Sequence, residues 1–323
     1  MKRYALTHTD ITASRLVYGC MALGRQWGEI DIPEARAKTA AIIDVALEEG
    51  INFFDHADIY ADGRSEELFG DVLRANPSLR DQMFLQSKCG VRFEGSPEPT
   101  SPGRYDFSYD HIVRSAEGSL KRLGIEQLDI LLLHRPDPLM EPDEVARAFD
   151  ALRRSGKVRY FGVSNFSAGQ MALLQRSCSE PLVANQLQLS LMHHHLINEI
   201  VSFNQTGYEF VAHAGVLDYC QAHGVRVQPW TPLERGRMFT PPADASPALL
   251  AVAEKVAAMA DAHNTTREAV VLSWLLRHPA GFQPVVGTTN GQRLRDCCQA
   301  DAFAMSREDW YTLFNIARGK PVP

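Results

Sequence analysis

Apolar residues follow two different spacings along the chain. Short runs rich in β-branched and aromatic residues alternate with longer segments, such as 33–50 and 110–124, in which apolar residues recur every three or four positions. Because parallel strands cannot be linked by a tight hairpin, this alternation is typical of parallel strands joined by crossover helices. The short runs are RLVYG, INFFD, MFLQSK, LDILLLH, VRYFGVS, LVANQ, VRVQPW and PVVGT.

Eight predicted strands is the number that closes an α/β barrel. A doubly wound open sheet is the alternative, but the glycines of GCMALG at 19–24 have neither the Rossmann nor the P-loop spacing. The predicted fold is therefore α/β, a (β/α)8 TIM barrel, with segment 2–16 as an N-terminal β-hairpin cap and with a C-terminal helix. Because no break in composition marks a second domain, we expect residues 1–323 to form a single domain.

Composition and charge disfavour several classes of protein. Of the 323 residues, 45% are hydrophobic and 22% are charged, which is typical of a folded globular chain. The net charge of -6 and the lack of a basic cluster argue against nucleic acid and anionic membranes as partners. We see neither a spanning apolar run nor a signal peptide and expect a cytoplasmic protein, a monomer or weak homo-oligomer. Six scattered cysteines without a C-x-x-C pattern fit reduced thiols.

Three long irregular segments each follow a predicted strand. They span 91–108, 188–210 and 234–247. Loops of this length inside a compact domain are usually functional. In a barrel all three lie on the C-terminal face, where such enzymes have their active sites.

Ionisable residues terminate three consecutive predicted strands. Asp55 ends the second and is followed by Tyr60, Lys88 ends the third, and His134 ends the fourth. Each alone is more often an ordinary strand-end residue, but in a barrel the three ends converge on one mouth. The sequence therefore predicts four titratable side chains in one cleft.

The four residue types suit the protonation of a carbonyl oxygen. A tyrosine, with a pKa of about 10, is a poor proton donor at neutral pH unless its anion is stabilised. We expect the Lys88 ammonium to lower the pKa of Tyr60, and Asp55 to keep Lys88 charged and oriented. His134 can orient the carbonyl oxygen. A carbonyl protonated at oxygen needs a hydride at carbon, so the group indicates a reductase.

These residues also resemble a known family. The order Asp55, Tyr60, Lys88 and His134 is similar to the catalytic tetrad of the aldo-keto reductase superfamily, and GKVRYFGVSNF, WTPLERG and VVGTTNGQRL resemble further signatures of it. HADIY, SKCG and LLLHRPDPLMEPDEVA look closest to the bacterial YdhF-type oxidoreductases. The resemblance covers nearly the whole chain and implies a single NADP(H)-dependent oxidoreductase domain that acts on a small-molecule carbonyl substrate.

The resemblance further implies an NADP(H) site across the mouth, without a Rossmann domain. Its implied contacts are Ser164, Asn165 and Gln186 for the carboxamide; Trp230 stacked on the nicotinamide; Gly19, Cys20 and Met21 beside the nicotinamide; Thr231, Leu233 and Gly236 along the pyrophosphate; Thr288 and Arg293 at the 2'-phosphate; and Asp296 at the adenosine end. An aromatic face and an arginine are the groups that such a ligand needs.

Four positions depart from the family pattern. Ala61 replaces a glycine, His56 a threonine, Cys297 an asparagine and Gly287 a lysine. The tetrad is unaffected. Because the lysine is missing, the preference for NADP over NAD depends mainly on Arg293.

Several residues have competing interpretations. We interpret Asp58 as a loop or capping residue, since its spacing to Tyr60 is too short for the tetrad. The histidines at 193–195 are interpreted as solvated loop or substrate rim, with no metal, because consecutive side chains diverge. Two alternatives to the reductase stay open: an NADP(H)-binding regulatory module with little turnover, and a metal-dependent barrel hydrolase that uses His56 and the 193–195 cluster.

Overall fold

The computed structural model describes residues 1–24, 31–202, 205 and 215–323. The strands in these ranges are β1 Arg3–Ala5, β2 Thr12–Ser14, β3 Val17–Gly19, β4 Phe53–Asp55, β5 Phe84–Cys89, β6 Val91–Arg92, β7 Arg104–Tyr105, β8 Leu128–Leu133, β9 Val158–Ser164, β10 Leu182–Gln188, β11 Arg226–Trp230 and β12 Val285–Val286. The helices are α1 Ile32–Glu48, α2 Arg64–Ala75, α3 Tyr109–Leu123, α4 Pro142–Arg154, α5 Ala168–Gln175, α6 His195–Ser202, α7 Val216–Ala222, α8 Pro247–Ala262, α9 Arg267–Leu276, α10 Gly291–Cys298 and α11 Arg307–Arg318.

Eight strands form one parallel sheet in the order β11-β10-β9-β8-β5-β4-β3-β12. The two ends of this sheet meet where the backbone amide of Gln283, just before β12, donates to the backbone carbonyl of Val227 in β11 at 3.0 Å. The sheet is therefore nearly closed into a barrel. Each of the eight predicted runs supplies one of these strands. The predicted (β/α)8 barrel is therefore confirmed.

The helices begin and end at the residues that local chemistry favours. The Ser108 hydroxyl accepts from the backbone amide of His111 at the start of α3, and Gly124 ends the helix with φ 67°. The predicted period is present in α3, since Ala116 and Leu120 are buried, although the buried face is centred nearer Ile112. This face packs on the sheet, and the polar face is left to solvent.

The two ends of the chain complete the predicted architecture. β1 and β2 pair antiparallel as the N-terminal hairpin, and α11 is the C-terminal helix. Trp310 of α11 stacks on Trp274 of α9, with ring centroids 5.2 Å apart, and each indole NH donates to the other residue's carbonyl oxygen. No helix in the described ranges is long and apolar enough to cross a membrane.

The long segments are less irregular than predicted. Segment 91–108 contains the antiparallel pair β6–β7, and segment 188–210 contains α6. Residues 203–204 and 206–210 of the second segment lie outside the described residues. Two-residue strands carry no detectable period, and α6 has only two turns, so hydrophobic spacing could not reveal either element.

Candidate active site

The ammonium group of Lys88 is the centre of the cluster at the mouth of the barrel. Its Nζ donates to Asp55 Oδ2 at 2.7 Å, to the His56 carbonyl oxygen at 2.8 Å and to the Tyr60 hydroxyl at 2.9 Å. All three donors of the ammonium are therefore used. The side chain of Lys88 has no solvent exposure and that of Asp55 is 2% exposed. β4 and β5 are neighbours in the sheet, which places Asp55 opposite Gln86 and brings Lys88 within reach.

Burial and the ion pair act in opposite directions on this cluster. Burial by itself lowers the pKa of Lys88, but Asp55 and Tyr60 outweigh it and raise that pKa above its usual value. Burial raises the pKa of Tyr60, and although Lys88 lowers it, the net shift is upward. The expected lowering by Lys88 is thus present but smaller than the effect of burial. Tyr60 is consequently a neutral phenol, held against a cation.

His134 follows β8 and lies beside Tyr60. Its backbone amide donates to the Cys89 carbonyl at 2.9 Å, and its ring meets that of Tyr60 edge to face with centroids 6.0 Å apart. Burial, followed by the charges of Lys88 and Arg135, lowers the pKa of His134 well below its usual value. His134 is therefore a neutral imidazole, which can donate one hydrogen bond but carries no charge.

A hydrogen-bonded chain fixes the indole of Trp230. Trp230 Nε1 donates to Asn165 Oδ1 at 3.1 Å, and Asn165 Nδ2 donates to the Ser164 hydroxyl at 2.8 Å and to the His134 carbonyl at 3.1 Å. The Ser164 hydroxyl donates to the Gln186 carbonyl at 2.8 Å. Asn165 has φ 64°, a left-handed conformation that asparagine tolerates better than most residues. The strand ends β9, β10 and β11 thereby hold one aromatic ring in a fixed orientation.

The residues assigned to the distant end of the cofactor lie after β12. The Thr288 carbonyl accepts from the Tyr18 hydroxyl at 2.9 Å, and Asn290 caps α10 by accepting from the amide of Arg293. The Arg293 side chain is exposed, and no ion pair joins it to any carboxylate in the described ranges. Asp296, one turn further, accepts from Gln292 Nε2 at 2.9 Å. An unpaired guanidinium near a helix N-terminus is chemically suited to a phosphate.

The remaining assigned residues border the same mouth. Gly19 and Cys20 are buried at the end of β3, whereas Met21 is 48% exposed. Thr231 and Gly236 have φ 55° and φ 83°, so the loop after β11 turns sharply at both ends of the stretch that contains Leu233. The structure thus brings the four tetrad residues together and arranges the others around them. Their roles stay predictions.

Comparison with known proteins identifies the family. The model of the "Aldo/keto reductase family" matches residues 15–317, nearly the whole chain. The chain belongs to the aldo/keto reductase family. Among the curated members, the oxidoreductase YdhF of Escherichia coli is 36% identical over 298 residues, which cover 92% of this chain and 93% of YdhF. The predicted YdhF-type branch is therefore supported.

Two further members of the family extend the comparison. A 6-dehydroglucose reductase of Agrobacterium fabrum is 36% identical over 323 residues and covers 100% of both chains. Among solved structures, the glycerol dehydrogenase of Gluconobacter oxydans superposes with a TM-score of 0.81 at 24% identity, covering 100% of this chain and 97% of that one. The latter similarity bears on the fold alone.

In this aldo/keto reductase, the side chains of His56 and Asp58 form no hydrogen bond with the tetrad side chains in the described structure. Both ring nitrogens of His56 are buried without a hydrogen-bond partner, its ring meets Phe69 edge to face at 4.6 Å, and burial followed by Lys88 lowers its pKa to about 3. Asp58 lies in the turn before Tyr60, in agreement with its interpretation as a loop residue, and it does not cap the helical turn that follows. Burial followed by the neighbouring Glu66 raises the pKa of its carboxyl group to about 7.

The turn that carries Tyr60 is backbone-strained. Ala61 adopts φ 51°, in the left-handed region that glycine enters without penalty. A glycine would adopt this conformation without strain, and the alanine costs about 1–2 kcal/mol.

Sequence reasoning missed a set of glutamines inside the barrel. Gln86 Nε2 donates to Asp55 Oδ1 at 2.6 Å, and Gln228 and Gln283 continue the network behind it. A signal was present, because Gln86 and Gln228 stand inside short apolar runs and Gln283 directly precedes one. Arg135 was also missed, and its guanidinium lies 5.6 Å from the centre of the Trp230 ring.

Two other features of this aldo/keto reductase are less suited to chemistry. Among the described residues no group of three histidines, cysteines or acids is arranged to hold a metal, although the rings of His193 and His195 lie 4.7 Å apart. A cavity of about 690 Å³ opens at the N-terminal end of the barrel. Its buried carboxylate, Asp129, is already paired with Arg80 and Arg159, so this carboxylate is not free to hold a substrate.

Proposed function

We propose that the protein is an NADP(H)-dependent reductase that converts an aldehyde or ketone into an alcohol, with Tyr60 as the proton donor. The observation that carries this proposal is the 2.9 Å hydrogen bond from Lys88 Nζ to the Tyr60 hydroxyl, in a site where His134 is neutral. A phenol held against a buried ammonium can lose its proton to an oxygen that becomes negative, because the phenolate left behind is stabilised by the charge of Lys88.

The other two residues have supporting roles in this proposal. Asp55 keeps the Lys88 ammonium charged and directed at Tyr60. The neutral imidazole of His134 donates a hydrogen bond to the carbonyl oxygen and holds it near the phenol. NADPH, when bound, supplies the hydride that the carbonyl carbon accepts.

The described residues fit a nicotinamide dinucleotide at this mouth. Trp230 presents an aromatic ring locked by Asn165, which suits stacking on a planar ring. Arg293 carries an unpaired guanidinium, which suits the extra phosphate that distinguishes NADPH from NADH. Trp230 ends β11 and Arg293 follows β12 in α10, and these two strands are neighbours where the sheet closes.

Hydroxylated aldehydes are the first substrates to test. Relatives in Agrobacterium fabrum and Novosphingobium aromaticivorans, 36% and 34% identical to this chain, are named 6-dehydroglucose reductases. A half-buried Arg135 close to Trp230 offers donors to hydroxyl oxygens at the mouth. We therefore propose a panel of sugar-derived, aliphatic and aromatic aldehydes.

The decisive experiment follows the loss of NADPH absorbance with this panel for the unsubstituted protein, Tyr60→Phe and Tyr160→Phe. Tyr160 is the matched control, because its hydroxyl contacts Asp10 at the other end of the barrel, 2.9 Å away. We expect kcat to fall on the order of 100- to 10,000-fold in Tyr60→Phe and to stay unchanged in Tyr160→Phe. Full turnover by Tyr60→Phe would show that Tyr60 is not the proton donor.

The regulatory alternative has its own signature. Tight NADPH binding, measured by quenching of tryptophan fluorescence, with no turnover across the panel would favour an NADP(H)-binding module over a reductase.

A further inference from the structure

A layer of amide side chains crosses the interior of the barrel beneath the tetrad. Asp55 of β4 lies opposite Gln86 of β5, and Gln186 of β10 lies opposite Gln228 of β11, with Gln283 just before β12. All five side chains are buried. The interior of such a barrel is ordinarily filled by layers of branched apolar residues, so this polar layer is an exception that needs a physical reason.

The hydrogen bonds of this layer determine which atom of each glutamine amide is the donor and which is the acceptor. Gln283 Nε2 donates to the backbone carbonyl of Ser14 at 2.8 Å, which leaves Gln283 Oε1 to accept from Gln228 Nε2 at 3.1 Å. Gln228 Oε1 must then accept, and it does so from Gln86 Nε2 at 2.9 Å and from Gln186 Nε2 at 3.3 Å. A carbonyl oxygen can only accept, so the orientation of every amide follows from Ser14.

The side-chain amides of Gln86 and Gln186 each have a second hydrogen, and both of these hydrogens point to Asp55 of the tetrad. Gln86 Nε2 donates to Asp55 Oδ1 at 2.6 Å and Gln186 Nε2 donates to the same oxygen at 3.1 Å. Lys88 occupies the other carboxylate oxygen. Three donors thus converge on Asp55, an arrangement that suits an ionised carboxylate, since that form accepts hydrogen bonds and donates none.

This arrangement of amides lowers the stability of the folded protein. Gln86 Oε1 is buried without any hydrogen-bond partner in the described structure, and an unsatisfied buried acceptor costs about 1–3 kcal/mol. Turning the amide over would place Oε1 against Asp55 Oδ1 and Gln228 Oε1, both of which are acceptors. The amide of Gln86 is therefore oriented by Asp55, at the expense of one unsatisfied atom.

We propose that Gln86 and Gln228 are positioning residues of the reaction: they hold Asp55 ionised and in one rotamer, and through it direct the Lys88 ammonium at the Tyr60 hydroxyl. Gln228 touches none of the reacting groups and acts through the amide of Gln86. This inference deepens the proposed function and rests on it, because it assigns the support of the proton donor of that same site.

Two substitutions remove the network without adding charge. Methionine has nearly the shape of glutamine and adapts to its surroundings, so Gln86→Met and Gln228→Met remove hydrogen bonds with little change in volume. The matched control is Gln175→Met, since Gln175 also spans two backbone groups, the carbonyl of Glu180 and the amide of Leu182, but lies outside the barrel interior. All three variants are expected to have a lower Tm.

The kinetic readouts separate positioning from structure. We expect kcat to fall on the order of 100-fold in Gln86→Met and on the order of 10-fold in Gln228→Met, with KM for the carbonyl compound little changed. Gln175→Met should keep the kcat and the pH profile of the unsubstituted protein.

A third variant adds a pH dependence that the methionine variants lack. Gln86→Glu keeps the shape of the side chain but places a second carboxyl group against Asp55, and this group donates a hydrogen bond only when it is protonated. Its activity should therefore recover as pH falls from about 8 to about 6, whereas that of Gln86→Met should not. A purely structural role predicts no such recovery. This variant and Gln228→Met also decide the matter if Gln86→Met does not fold.

One readout requires neither substrate nor cofactor. The carboxyl carbon of Asp55, assigned in the 13C spectrum by comparison with Asp55→Asn, should change its chemical shift in Gln228→Met, which does not touch Asp55, as well as in Gln86→Met, which removes a hydrogen bond to Oδ1. If no carbonyl compound is reduced by the unsubstituted protein, the proposed function fails while this chemical shift still tests the network. If Gln86→Met and Gln228→Met match Gln175→Met in kcat, pH profile and this chemical shift, the glutamines are structural and the inference is wrong.

Discussion

Lys88 donates a 2.9 Å hydrogen bond to the hydroxyl of Tyr60 from a position that solvent does not reach. Burial raises the pKa of the phenol and the ammonium lowers it, with burial the larger effect. The proton therefore stays on Tyr60 until the carbonyl oxygen of a substrate becomes negatively charged and more basic. The Lys88 ammonium, which stabilises the resulting phenolate, is already in place.

The pH dependence of turnover follows from this balance. In carbonyl reduction Tyr60 must be protonated, so activity is complete below the pKa of Tyr60 and is lost as pH rises through it. Since that pKa lies above the usual value of 10.0, we expect the reduction rate to be flat through neutral pH and to fall only in strong alkali. Alcohol oxidation needs the phenolate and should rise over that same alkaline range. Stopped-flow measurement of kcat in both directions checks this expectation.

His134 should not contribute a step to the pH profile of kcat. The pKa of His134 is well below its usual range, so a step near pH 6.5 is not expected. A step there that disappears in His134→Gln would contradict the neutral imidazole.

Removal of the buried cation should affect stability and turnover separately. Lys88→Met leaves the Asp55 carboxylate buried without its ion pair, and we expect a loss of about 3–5 kcal/mol in the free energy of unfolding. The double variant Lys88→Met/Asp55→Leu should regain most of this stability in urea unfolding but none of the activity. Recovery of both would mean that Lys88 has only a structural role.

The Asp58 carboxyl group should make the fold less stable as pH rises. Its pKa is about 7 in the folded protein, above the usual 3.8, so the folded state binds an extra proton between these values and stability falls across that window. Asp58→Asn removes the buried charge and should be about 1–3 kcal/mol more stable than the unsubstituted protein at pH 8, with a smaller difference at pH 5. Urea unfolding at both pH values measures this.

Asp62→Asn is the control for that experiment. Asp62 belongs to the same turn but is exposed. It should shift stability equally at both pH values, and an equal shift in Asp58→Asn would contradict the buried carboxyl group.

Cofactor preference should depend on one of two neighbouring arginines. Arg293→Met should raise KM for NADPH by roughly 10- to 150-fold and leave KM for NADH unchanged, because a charge-assisted hydrogen bond to phosphate is worth about 1.5–3 kcal/mol. Arg295 belongs to the same helix but is paired with Glu48 and Glu49, both at 2.8 Å. Arg295→Met should therefore lower Tm slightly without altering the ratio of the two KM values. Equal effects of both variants on that ratio would refute the role of Arg293.

Hydrophobic spacing was sufficient to predict the barrel but not its interior. Each parallel strand is a buried apolar run, so strand positions and the convergence of Asp55, Lys88 and His134 could be read from the sequence. The orientation of Gln86 could not, because both faces of such a strand are buried and alternation does not distinguish the barrel interior from the helix side. Its partner Gln228 lies 142 residues away in sequence, beyond any local pattern.

The net direction of the pKa shifts in the site could not be predicted from the sequence either. The sequence indicates that Lys88 lowers the pKa of Tyr60, yet the depth of burial decides the net direction, and depth is a property of the folded mouth. Asp58 shows the same limit, since its interpretation as a loop residue did not anticipate a carboxyl group enclosed beside Glu66.

The closure of the barrel has a consequence for its motions. β8 and β9 pair along most of their length in the middle of the sheet, whereas the sheet closes beside β12, which has two residues, through the bond from Gln283 to the Val227 carbonyl. Amide hydrogen exchange should therefore be fastest at this seam, because local opening there breaks fewer hydrogen bonds. Since α10 and Arg293 follow β12 directly, a ligand bound to that helix would clamp the part of the barrel that opens most readily.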